Sequence, residues 1–268
     1  MKTVYSLHKV VEQSNYPFSP SDYSWFKFGD KAFAKQFAFD LFEGFIKTHG
    51  EQLLSYDDIV VLPSPFLAIP TASNFLCHYF KRYLDLYLFK NNNNASIESK
   101  IYRNQTYTTD YGNLSFEDRI NLISNDTYYI DANFIANKLC IFLDDIKITG
   151  SHEHTIDKIL AQNDIKGEFF FVYFAELVNK DIHPNIENFF NYYAVKGVNE
   201  IIEVINRDDF QFNTRIIKYI LKLDKSDFNQ VMDNISKDRK DEFFHAAISN
   251  NYHKIEEYVE NLIVLKTN

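Results

Sequence analysis

The sequence predicts an α/β fold, in which a parallel β-sheet is flanked by helices and an all-helical C-terminal subdomain follows. Three apolar runs, within residues 57–66, 138–145 and 167–177, have the composition and length of buried strands. Helix-like segments separate these runs, and strands that alternate with helices form parallel sheets with right-handed crossovers. The strand pattern then stops. We therefore predict an α/β domain over residues 1–183 and a helical subdomain over 184–268.

The elements around the first strand follow from local patterns. Residues 30–49 place apolar side chains at helical spacing with charged residues between them, which predicts a helix. The apolar stretch "IVVL" of the first predicted strand ends at a proline-containing turn. Residues 71–89 return to helical spacing, with Thr71 or Ser73 as the N-cap.

The middle of the chain holds a segment without clear periodicity. Residues 95–127 mix polar, charged and tyrosine side chains, and we predict a mobile loop or hood over the surface. The second strand precedes a helix over 154–163, and the third strand follows that helix. Every later segment has helical spacing, so we expect no strand in the C-terminal subdomain.

Composition limits the functional classes. Hydrophobic residues make up 46% of the 268 residues, which is enough for a large core. A net charge of −9 disfavours broad binding to nucleic acid or to anionic membranes. The apolar runs are too short to cross a membrane, and Cys77 and Cys140 lie in such runs, as expected of reduced core thiols. We expect a cytoplasmic protein without nucleic-acid or membrane partners.

An acidic pair and a glycine turn follow the second predicted strand. In the stretch "IFLDDIKITGSHEHT", residues 141–155, Asp144 and Asp145 come directly after apolar residues, and Gly150 lies just beyond them. Adjacent carboxylates at a strand end repel each other, and we expect a bound ligand to compensate them. The turn over 148–152 places backbone N–H groups at a helix N-terminus, where such groups bind phosphate.

This combination predicts a sugar-phosphate site. Carboxylates accept hydrogen bonds from vicinal sugar hydroxyls, and they also hold hydrated Mg²⁺. A phosphate-binding turn beside Asp144 and Asp145 is therefore expected to bind ribose 5-phosphate. Because the replacement of one of two like charges relieves repulsion, Asp145→Asn is expected to leave the free energy of unfolding nearly unchanged.

The segment "CIFLDDIKITGSH" resembles the signature of the type I phosphoribosyltransferases. Two further segments, "WFKFGDKAFAKQFA" and "IYRNQTY" with the later "LSFEDRINLISNDTYYID", resemble the ComF-like branch of that family, and the resemblance covers about residues 20–180. It implies that Asp144 and Asp145 bind Mg²⁺ and the ribose hydroxyls of phosphoribosyl pyrophosphate. It also implies that the turn binds the 5-phosphate; the turn consists of Ile148, Thr149, Gly150, Ser151 and His152.

The resemblance implies further roles outside this signature. Arg103 and Arg119 lie in a stretch similar to the family's mobile active-site loop, and Arg103 or Arg119 would neutralise pyrophosphate when that loop closes. Lys147 occupies a usually apolar position and would add positive charge, and Ser64 would bind pyrophosphate. The loop "PSPFLAIPTAS", which in the family binds pyrophosphate, contains neither glycine nor a basic residue here, although its backbone amides could still serve.

Simpler interpretations of the same residues are open. The acidic pair can be an ordinary strand end or a helix cap. His152, Glu153 and His154 suggest a metal site, but they lack the spacing that places two histidines on one helix face, and capping or phosphate contact is the competing interpretation. Arg103 and Arg119 can be solvated surface charges.

The C-terminal subdomain also has two interpretations. Its aromatic stretch "NFFNYYAVKG", together with Asn213 and Arg215, would form a wall over the acceptor pocket. Alternatively, the aromatic side chains pack the helices together or form a homodimer face.

The expected function is transfer of a phosphoribosyl group at an N-glycosidic carbon, or the reverse reaction, in nucleotide or nucleoside metabolism. The partners would be phosphoribosyl pyrophosphate and a base or amine acceptor, with Mg²⁺ as cofactor. The alternative is a non-catalytic, nucleotide-responsive binding or regulatory protein that retains the sugar-phosphate site. The atypical pyrophosphate loop favours this alternative.

Overall fold

A parallel sheet forms the centre of the molecule in the computed structural model, which describes residues 1–103 and 128–266. The strands are Lys2–Val10 (β1), Ile59–Pro63 (β2), Ile97–Glu98 (β3), Tyr102–Arg103 (β4), Tyr128–Tyr129 (β5), Leu139–Lys147 (β6) and Glu168–Leu177 (β7). Five of them form one sheet in the order β1-β7-β6-β2-β3, with every neighbouring pair parallel. Strands β4 and β5 form a separate antiparallel pair.

Helices flank this sheet and make up the C-terminal part of the chain. Before residue 184 they are Pro20–Lys27 (α1), Lys31–Leu53 (α2), Ala72–Lys90 (α3), Ala132–Ile135 (α4) and Ser151–Gln162 (α5). After it they are Ile186–Asn191 (α6), Val198–Ile205 (α7), Thr214–Leu221 (α8), Lys225–Asp233 (α9), Lys237–Ser249 (α10) and Glu256–Lys266 (α11), with a short 3-10 helix at Tyr252–Lys254. No strand occurs between residues 184 and 266.

The predicted fold class is confirmed. The three predicted strands are β2, β6 and β7, and the predicted helices correspond to α2, α3 and α5. Thr71 is the N-cap of α3, as one of the two alternatives predicted. The division of the chain at residue 183 stays a prediction. Of the loop predicted over 95–127, the structure describes only residues 95–103.

Strand β1 was absent from the sequence-based prediction. It lies at the edge of the sheet, where it pairs only with β7, and most of its side chains are partly or fully exposed. An edge strand of this kind has no continuous apolar run, because it need not bury both faces. Its pairing with β7, over residues that start at Lys2 and Phe169, depends on the folded sheet.

Strand β6 separates two hydrophobic clusters, because successive side chains of a strand point to opposite faces of the sheet. Leu139, Ile141 and Leu143 belong to the cluster formed with helices α2 and α3. Cys140 and Phe142 belong to the cluster on the other face, which includes side chains of α5. Because β6 is buried on both faces, its packing fixes the position of the residues at its carboxyl end.

A third hydrophobic cluster holds the C-terminal helices together and includes two residues from earlier in the chain. Phe28, which follows α1, and Ile69, which follows β2, are buried in this cluster with side chains of α7 to α11. The C-terminal helices therefore pack directly against the connections that lead to and from the sheet.

Two smaller expectations concern cysteines and membranes. Cys77 and Cys140 are buried and unpaired, as predicted, and burial raises the pKa of the Cys140 thiol to about 12. Within the described residues, no helix combines the length and apolar character that a membrane span requires.

Candidate active site at the carboxyl ends of the strands

A cavity of about 560 Å³ lies at the carboxyl ends of β2 and β6. The carboxyl ends of parallel strands meet at one edge of a sheet, which is where ligands bind in open α/β folds. Ser64, Asp144, Asp145 and the whole predicted turn line this cavity. The sequence-predicted site residues of the signature are therefore brought together in space.

Asp144 accepts hydrogen bonds from three sides. Ser64 Oγ donates to its Oδ1 at 2.8 Å, the backbone N–H of Asp145 donates to the same oxygen at 2.9 Å, and His152 Nδ1 lies 3.0 Å from Oδ2. Burial alone raises the pKa of the Asp144 carboxyl, but His152 and the other donors outweigh burial and hold that pKa well below its usual range. Asp144 is therefore ionised at neutral pH.

Asp145 has a different set of partners. Its Oδ2 accepts a hydrogen bond from Tyr23 OH at 2.7 Å and forms an ion pair with Lys27, both in α1. The Asp145 residue is 5% exposed. Burial raises the pKa of the Asp145 carboxyl; Lys27 opposes this, while repulsion by Asp144 adds to it. The two adjacent carboxyl groups thus have pKa values shifted in opposite directions.

These contacts correct one expectation and bear on a second. Protein side chains, and not only a ligand, compensate the acidic pair: Lys27 and Tyr23 at Asp145, and Ser64 and His152 at Asp144. Asp145→Asn would also leave the buried ammonium of Lys27 without its counter-charge. The expectation of nearly unchanged stability considered only the relief of repulsion. The contact with Lys27 argues for a loss of stability instead, because an uncompensated buried charge is destabilising.

The turn after β6 leads into the N-terminus of α5. Gly150 is the N-cap, with φ +77°, a left-handed conformation that glycine adopts without strain. Since glycine has no side chain, no side-chain cap is present here among the described residues. The first N–H groups of a helix have no partner within the helix, so this end of α5 presents donors to the cavity. Thr149 Oγ1 lies 3.2 Å from Ser151 Oγ beside them.

Lys147 is engaged by acidic side chains. Its Nζ lies 2.9 Å from Glu153 Oε2 and 3.3 Å from Glu176 Oε1. Lys2 Nζ contacts Glu153 as well, at 2.6 Å. Burial raises the pKa of the Glu153 carboxyl, but Lys2 and Lys147 outweigh burial and lower it overall. Lys147 thus lines the cavity as part of an ion-pair network.

The three residues of the His-Glu-His cluster diverge. His152 contacts Asp144, Glu153 contacts the two lysines, and His154 is exposed. Within residues 1–103 and 128–266, no group of three or more His, Cys, Asp or Glu side chains is placed to hold a metal ion.

Asp144 and Asp145 are the side chains that would hold the expected Mg²⁺ ion. Three of its four carboxylate oxygens accept hydrogen bonds from the protein, namely both oxygens of Asp144 and Oδ2 of Asp145. Mg²⁺ in proteins is commonly held by one or two carboxylates together with waters and substrate phosphates. The pair fits this pattern of binding and does not fit an all-protein cage.

The loop of residues 64–71, which joins β2 to α3, has three of its backbone donors occupied. Asn250 Oδ1 accepts from the N–H of Ala68 at 3.0 Å and from the N–H of Ile69 at 3.2 Å. The N–H of Thr71 donates to Asn74 Oδ1 at 2.6 Å. The expectation that the amides of this loop are available to pyrophosphate is therefore wrong for these three groups.

The predicted arginines have different outcomes. Arg103 lines the cavity, next to Tyr128 of the antiparallel pair. Arg119 lies outside the described residues, as does most of the loop predicted to be mobile, so its role stays a prediction.

The C-terminal helices contribute one wall of the cavity. Arg215 and Tyr192, both in segments selected from the sequence, line it together with Lys218, Tyr219 and Lys222. Asn213 does not contact the cavity in the predicted way. Its Oδ1 accepts from the N–H groups of Arg215 and Ile216, and its Nδ2 donates to Lys27 O at 3.0 Å.

Sequence reasoning missed two groups of residues at this site. Tyr23 and Lys27 were missed as partners of Asp145, although Lys27 lies in the segment "WFKFG" that the family resemblance selected. Lys218 and Lys222 were missed although their spacing from Arg215 in "RIIKYILK" was visible as a basic helix face.

The parallel sheet flanked by helices, with the acidic pair in the last part of its central strand β6, is consistent with a phosphoribosyltransferase-like fold. The comparison with protein families makes the assignment more specific. The model of the family described as PRTase ComF-like matches residues 1–265, and the chain belongs to that family. No curated protein matches the chain.

Proposed function

We propose that this protein binds phosphoribosyl pyrophosphate through its ribose 5-phosphate part and transfers the phosphoribosyl group to a base or amine. The observation that carries the proposal is the acidic pair beside the uncapped start of α5, at the edge of the cavity. The family membership supports the class of reaction.

In this proposal the 5-phosphate binds at the turn of residues 148–152. The N–H groups of a helix start and the helix dipole both favour an anion. Thr149 and Ser151 add hydroxyl donors beside them. The N–H groups and hydroxyls together can meet the oxygens of one phosphate, which would fix one end of the substrate.

The ribose hydroxyls would then lie against Asp144 and Asp145. The ionised carboxylate of Asp144, positioned by Ser64 and His152, is suited to accept a hydrogen bond from a sugar hydroxyl. Asp145 is held by Lys27 and Tyr23, which keep its side chain in place before a ligand arrives. A pre-positioned carboxylate pair reduces the entropy lost on binding.

Mg²⁺, when bound by the acidic pair, would supply positive charge to the diphosphate leaving group. The transfer breaks the bond between C1 of the ribose and the diphosphate oxygen and forms a bond from C1 to the acceptor nitrogen. The electron pair leaves with the diphosphate, and the acceptor loses one proton. The protein's part is to hold the sugar, to stabilise the developing charges and to limit water in the cavity.

Calorimetric titration tests the proposal directly. We expect saturable binding of ribose 5-phosphate and of phosphoribosyl pyrophosphate to the wild-type protein in the presence of Mg²⁺. Thr149→Val removes one hydroxyl donor without changing side-chain size, and we expect about tenfold weaker binding of ribose 5-phosphate. Thr48→Val, in α2 and outside the cavity lining, is the matched control and should bind as the wild type does.

Wild-type protein that binds neither compound at millimolar concentration would refute the proposal. Equal effects of Thr149→Val and Thr48→Val would refute the assignment of the phosphate to the turn. Both variants should be compared by circular dichroism to establish that they are folded.

A non-catalytic, nucleotide-responsive protein is the second candidate function. The observation in its favour is the loop of residues 64–71, which has no basic residue and whose amides at Ala68 and Ile69 are bonded to Asn250. Release of pyrophosphate from phosphoribosyl pyrophosphate, measured across a panel of bases and amines, separates the two candidates. An enzyme gives acceptor-dependent release, whereas a binding protein gives binding without release.

A further inference from the structure

Strand β1 contacts both of the carboxylates that hold Lys147. Lys2 Nζ lies 2.6 Å from Glu153 Oε1, whereas Lys147 Nζ lies 2.9 Å from Oε2 of the same carboxylate. Ser6 Oγ donates to Glu176 Oε2 at 2.7 Å, whereas Lys147 Nζ lies 3.3 Å from Oε1 of Glu176. Each carboxylate thus presents one oxygen to Lys147 and the other to the edge strand.

This arrangement leaves Lys147 with a donor for a ligand. A lysine ammonium has three N–H donors and no acceptor. The contacts with Glu153 and Glu176 use two of these donors, so a third can go to a bound anion. Burial lowers the pKa of the Lys147 ammonium, but the two glutamates outweigh burial and raise it overall. Lys147 is therefore charged at neutral pH.

Lys147 packs against the turn of residues 148–152. A Cβ placed on Gly150 would meet Lys147 Cε at 3.5 Å, which is an ordinary contact between the lysine side chain and the turn. Nζ is one bond beyond Cε, and Lys147 lines the cavity. A phosphate at the start of α5 would therefore lie within reach of this ammonium, whose charge strengthens a hydrogen bond to phosphate.

The Glu153 carboxylate repels a phosphate at the same position. Glu153 is the third residue of α5, is 9% exposed and lines the cavity. Burial raises the pKa of its carboxyl, but Lys2 and Lys147 outweigh burial and lower that pKa overall, so the group is ionised at neutral pH. Charges that are partly buried are screened less by salt than exposed ones. A phosphate therefore binds beside Glu153 more readily when that charge is balanced.

Lys2 balances Glu153 from outside the cavity. Its side chain is 36% exposed, and Lys2 does not belong to the described lining of the cavity. Its Nζ also lies 2.6 Å from Asp157, one turn further along α5, and 4.8 Å from the ring centroid of Phe171. These contacts hold the ammonium beside Glu153. Without Lys2, only Lys147 would balance this carboxylate within the described part of the chain.

We propose that Lys2 is a positioning residue for phosphate binding: because it pairs with Glu153, it leaves Lys147 available to a phosphate at the turn of residues 148–152. The proposal rests on the proposed function, since it concerns the 5-phosphate of the same donor. Lys2 does not contact the substrate. It acts through Glu153, so its effect on phosphate binding requires the charge of Glu153.

Calorimetric titrations with ribose 5-phosphate plus Mg²⁺, and with inorganic phosphate, test the proposal. Lys147→Met removes the ammonium that would bind phosphate and should weaken the binding of both ligands about tenfold, because a charge-assisted hydrogen bond is lost. Lys2→Met should weaken both about fivefold, because a partly exposed ion pair contributes less. Lys2→Arg keeps the charge and should bind both ligands as the wild type does.

A double-mutant cycle separates an effect through Glu153 from a general loss of positive charge. Glu153→Gln keeps the size of the side chain and removes the charge that competes with phosphate for Lys147. This variant should bind both ligands at least as tightly as the wild type. In the Glu153→Gln background, Lys2→Met should change either affinity by less than about twofold. Equal weakening by Lys2→Met in both backgrounds would overturn the proposal.

Lys9→Met is the matched control, since Lys9 is an exposed lysine of the same strand and lies outside the described lining of the cavity. Its affinity for both ligands should equal that of the wild type. If Lys9→Met weakens binding as much as Lys2→Met, net charge alone explains the effect and the proposal fails. A merely structural role of Lys2 would lower the melting temperature of Lys2→Met and leave both affinities unchanged, which also contradicts the proposal.

Further outcomes separate this proposal from the proposed function. Wild-type affinities in Lys147→Met or in Lys2→Met overturn the positioning role and leave the proposed function intact. If the wild type binds neither ribose 5-phosphate nor phosphoribosyl pyrophosphate, but binds inorganic phosphate in a way that depends on Lys2, the proposed function fails and the positioning role stands. A wild-type protein that binds none of the three compounds refutes both.

Discussion

Two connections between a strand and a helix meet at the same edge of the sheet, and they differ in how their backbone donors are used. The turn between β6 and α5 has glycine as the N-cap and leaves the first N–H groups of α5 without a side-chain cap among the described residues. In the loop between β2 and α3, Asn250 accepts from the N–H groups of Ala68 and Ile69, and Asn74 accepts from that of Thr71.

This difference indicates that the turn between β6 and α5 is suited to binding a ligand, whereas the loop between β2 and α3 has a structural role. Donors that protein acceptors already satisfy contribute little to the binding of a ligand, because the exchange of one hydrogen bond for another is nearly neutral. The turn after β6 is therefore suited to an anion, while the loop after β2 joins the sheet to the C-terminal helices through Ile69 and Asn250. The two connections occupy similar positions after parallel strands, but they differ in whether their backbone N–H groups are available to a ligand.

The largest expected change in stability is at the acidic pair, which precedes the turn between β6 and α5. Asp145→Asn removes the counter-charge of Lys27, whose side chain is nearly as buried as that of Asp145. We expect a loss of about 3 kcal/mol in the free energy of unfolding, because an uncompensated charge remains in the core. Urea denaturation at neutral pH measures this loss.

Two controls test the cause of this loss. Asp164→Asn breaks the exposed ion pair with Lys166, and we expect a change below about 0.5 kcal/mol. Lys27→Met/Asp145→Asn removes both buried charges and should recover more than half of the stability lost in the single variant. If Asp145→Asn costs no more than Asp164→Asn, the buried ion pair is not a source of stability.

An intermediate loss of stability is expected in the loop of residues 64–71. Asn250→Ala removes the acceptor of two backbone N–H groups, of which that of Ile69 is buried. An unsatisfied buried donor costs about 1–3 kcal/mol, and we expect a loss of about 2 kcal/mol in the free energy of unfolding. Amide hydrogen exchange at Ala68 and Ile69 should become faster in the same variant.

Asn91→Ala is a suitable control for this variant. Asn91 Nδ2 donates to Tyr87 O at the exposed end of α3, and its loss should change stability by less than about 0.5 kcal/mol. Unchanged exchange at Ala68 and Ile69 in Asn250→Ala would contradict the view that Asn250 closes the loop.

The smallest expected change in stability is at Gly150, the N-cap of α5. Gly150→Ala places a Cβ 3.5 Å from Lys147 Cε, an ordinary contact, so the expected cost comes from the positive φ of +77°. We expect a loss of about 1 kcal/mol in stability from the left-handed backbone. Gly197 is a matched N-cap, since its Cβ would also meet its nearest atom, Glu200 Oε2, at 3.5 Å, but its φ of −164° is extended.

Thermal unfolding of Gly150→Ala and Gly197→Ala compares a strained with an unstrained N-cap. The midpoint of Gly150→Ala should fall further than that of Gly197→Ala. Equal midpoints would indicate that the backbone of the turn relaxes without strain and that glycine is not required there.

The prediction from sequence succeeded where the signal was local. The strands β2, β6 and β7 bury both faces and leave continuous apolar runs, and helices α2 and α3 leave regular apolar spacing. Strand β1 was not predicted, because an edge strand needs no continuous apolar run. The acidic pair and Gly150 were visible for the same local reason, since the pair lies in the last part of β6 and Gly150 lies in the turn after it.

The class of the fold, the position of the acidic pair and the glycine of the turn could be predicted from sequence, because each depends on neighbouring residues. Only the tertiary structure decided which side chains compensate the pair and which close the loop. Lys27 lies 118 positions from Asp145, and Asn250 lies 182 positions from Ala68. Ion pairs and hydrogen bonds over such separations form only when packing brings the partners together and removes competing water, and no local pattern encodes that packing.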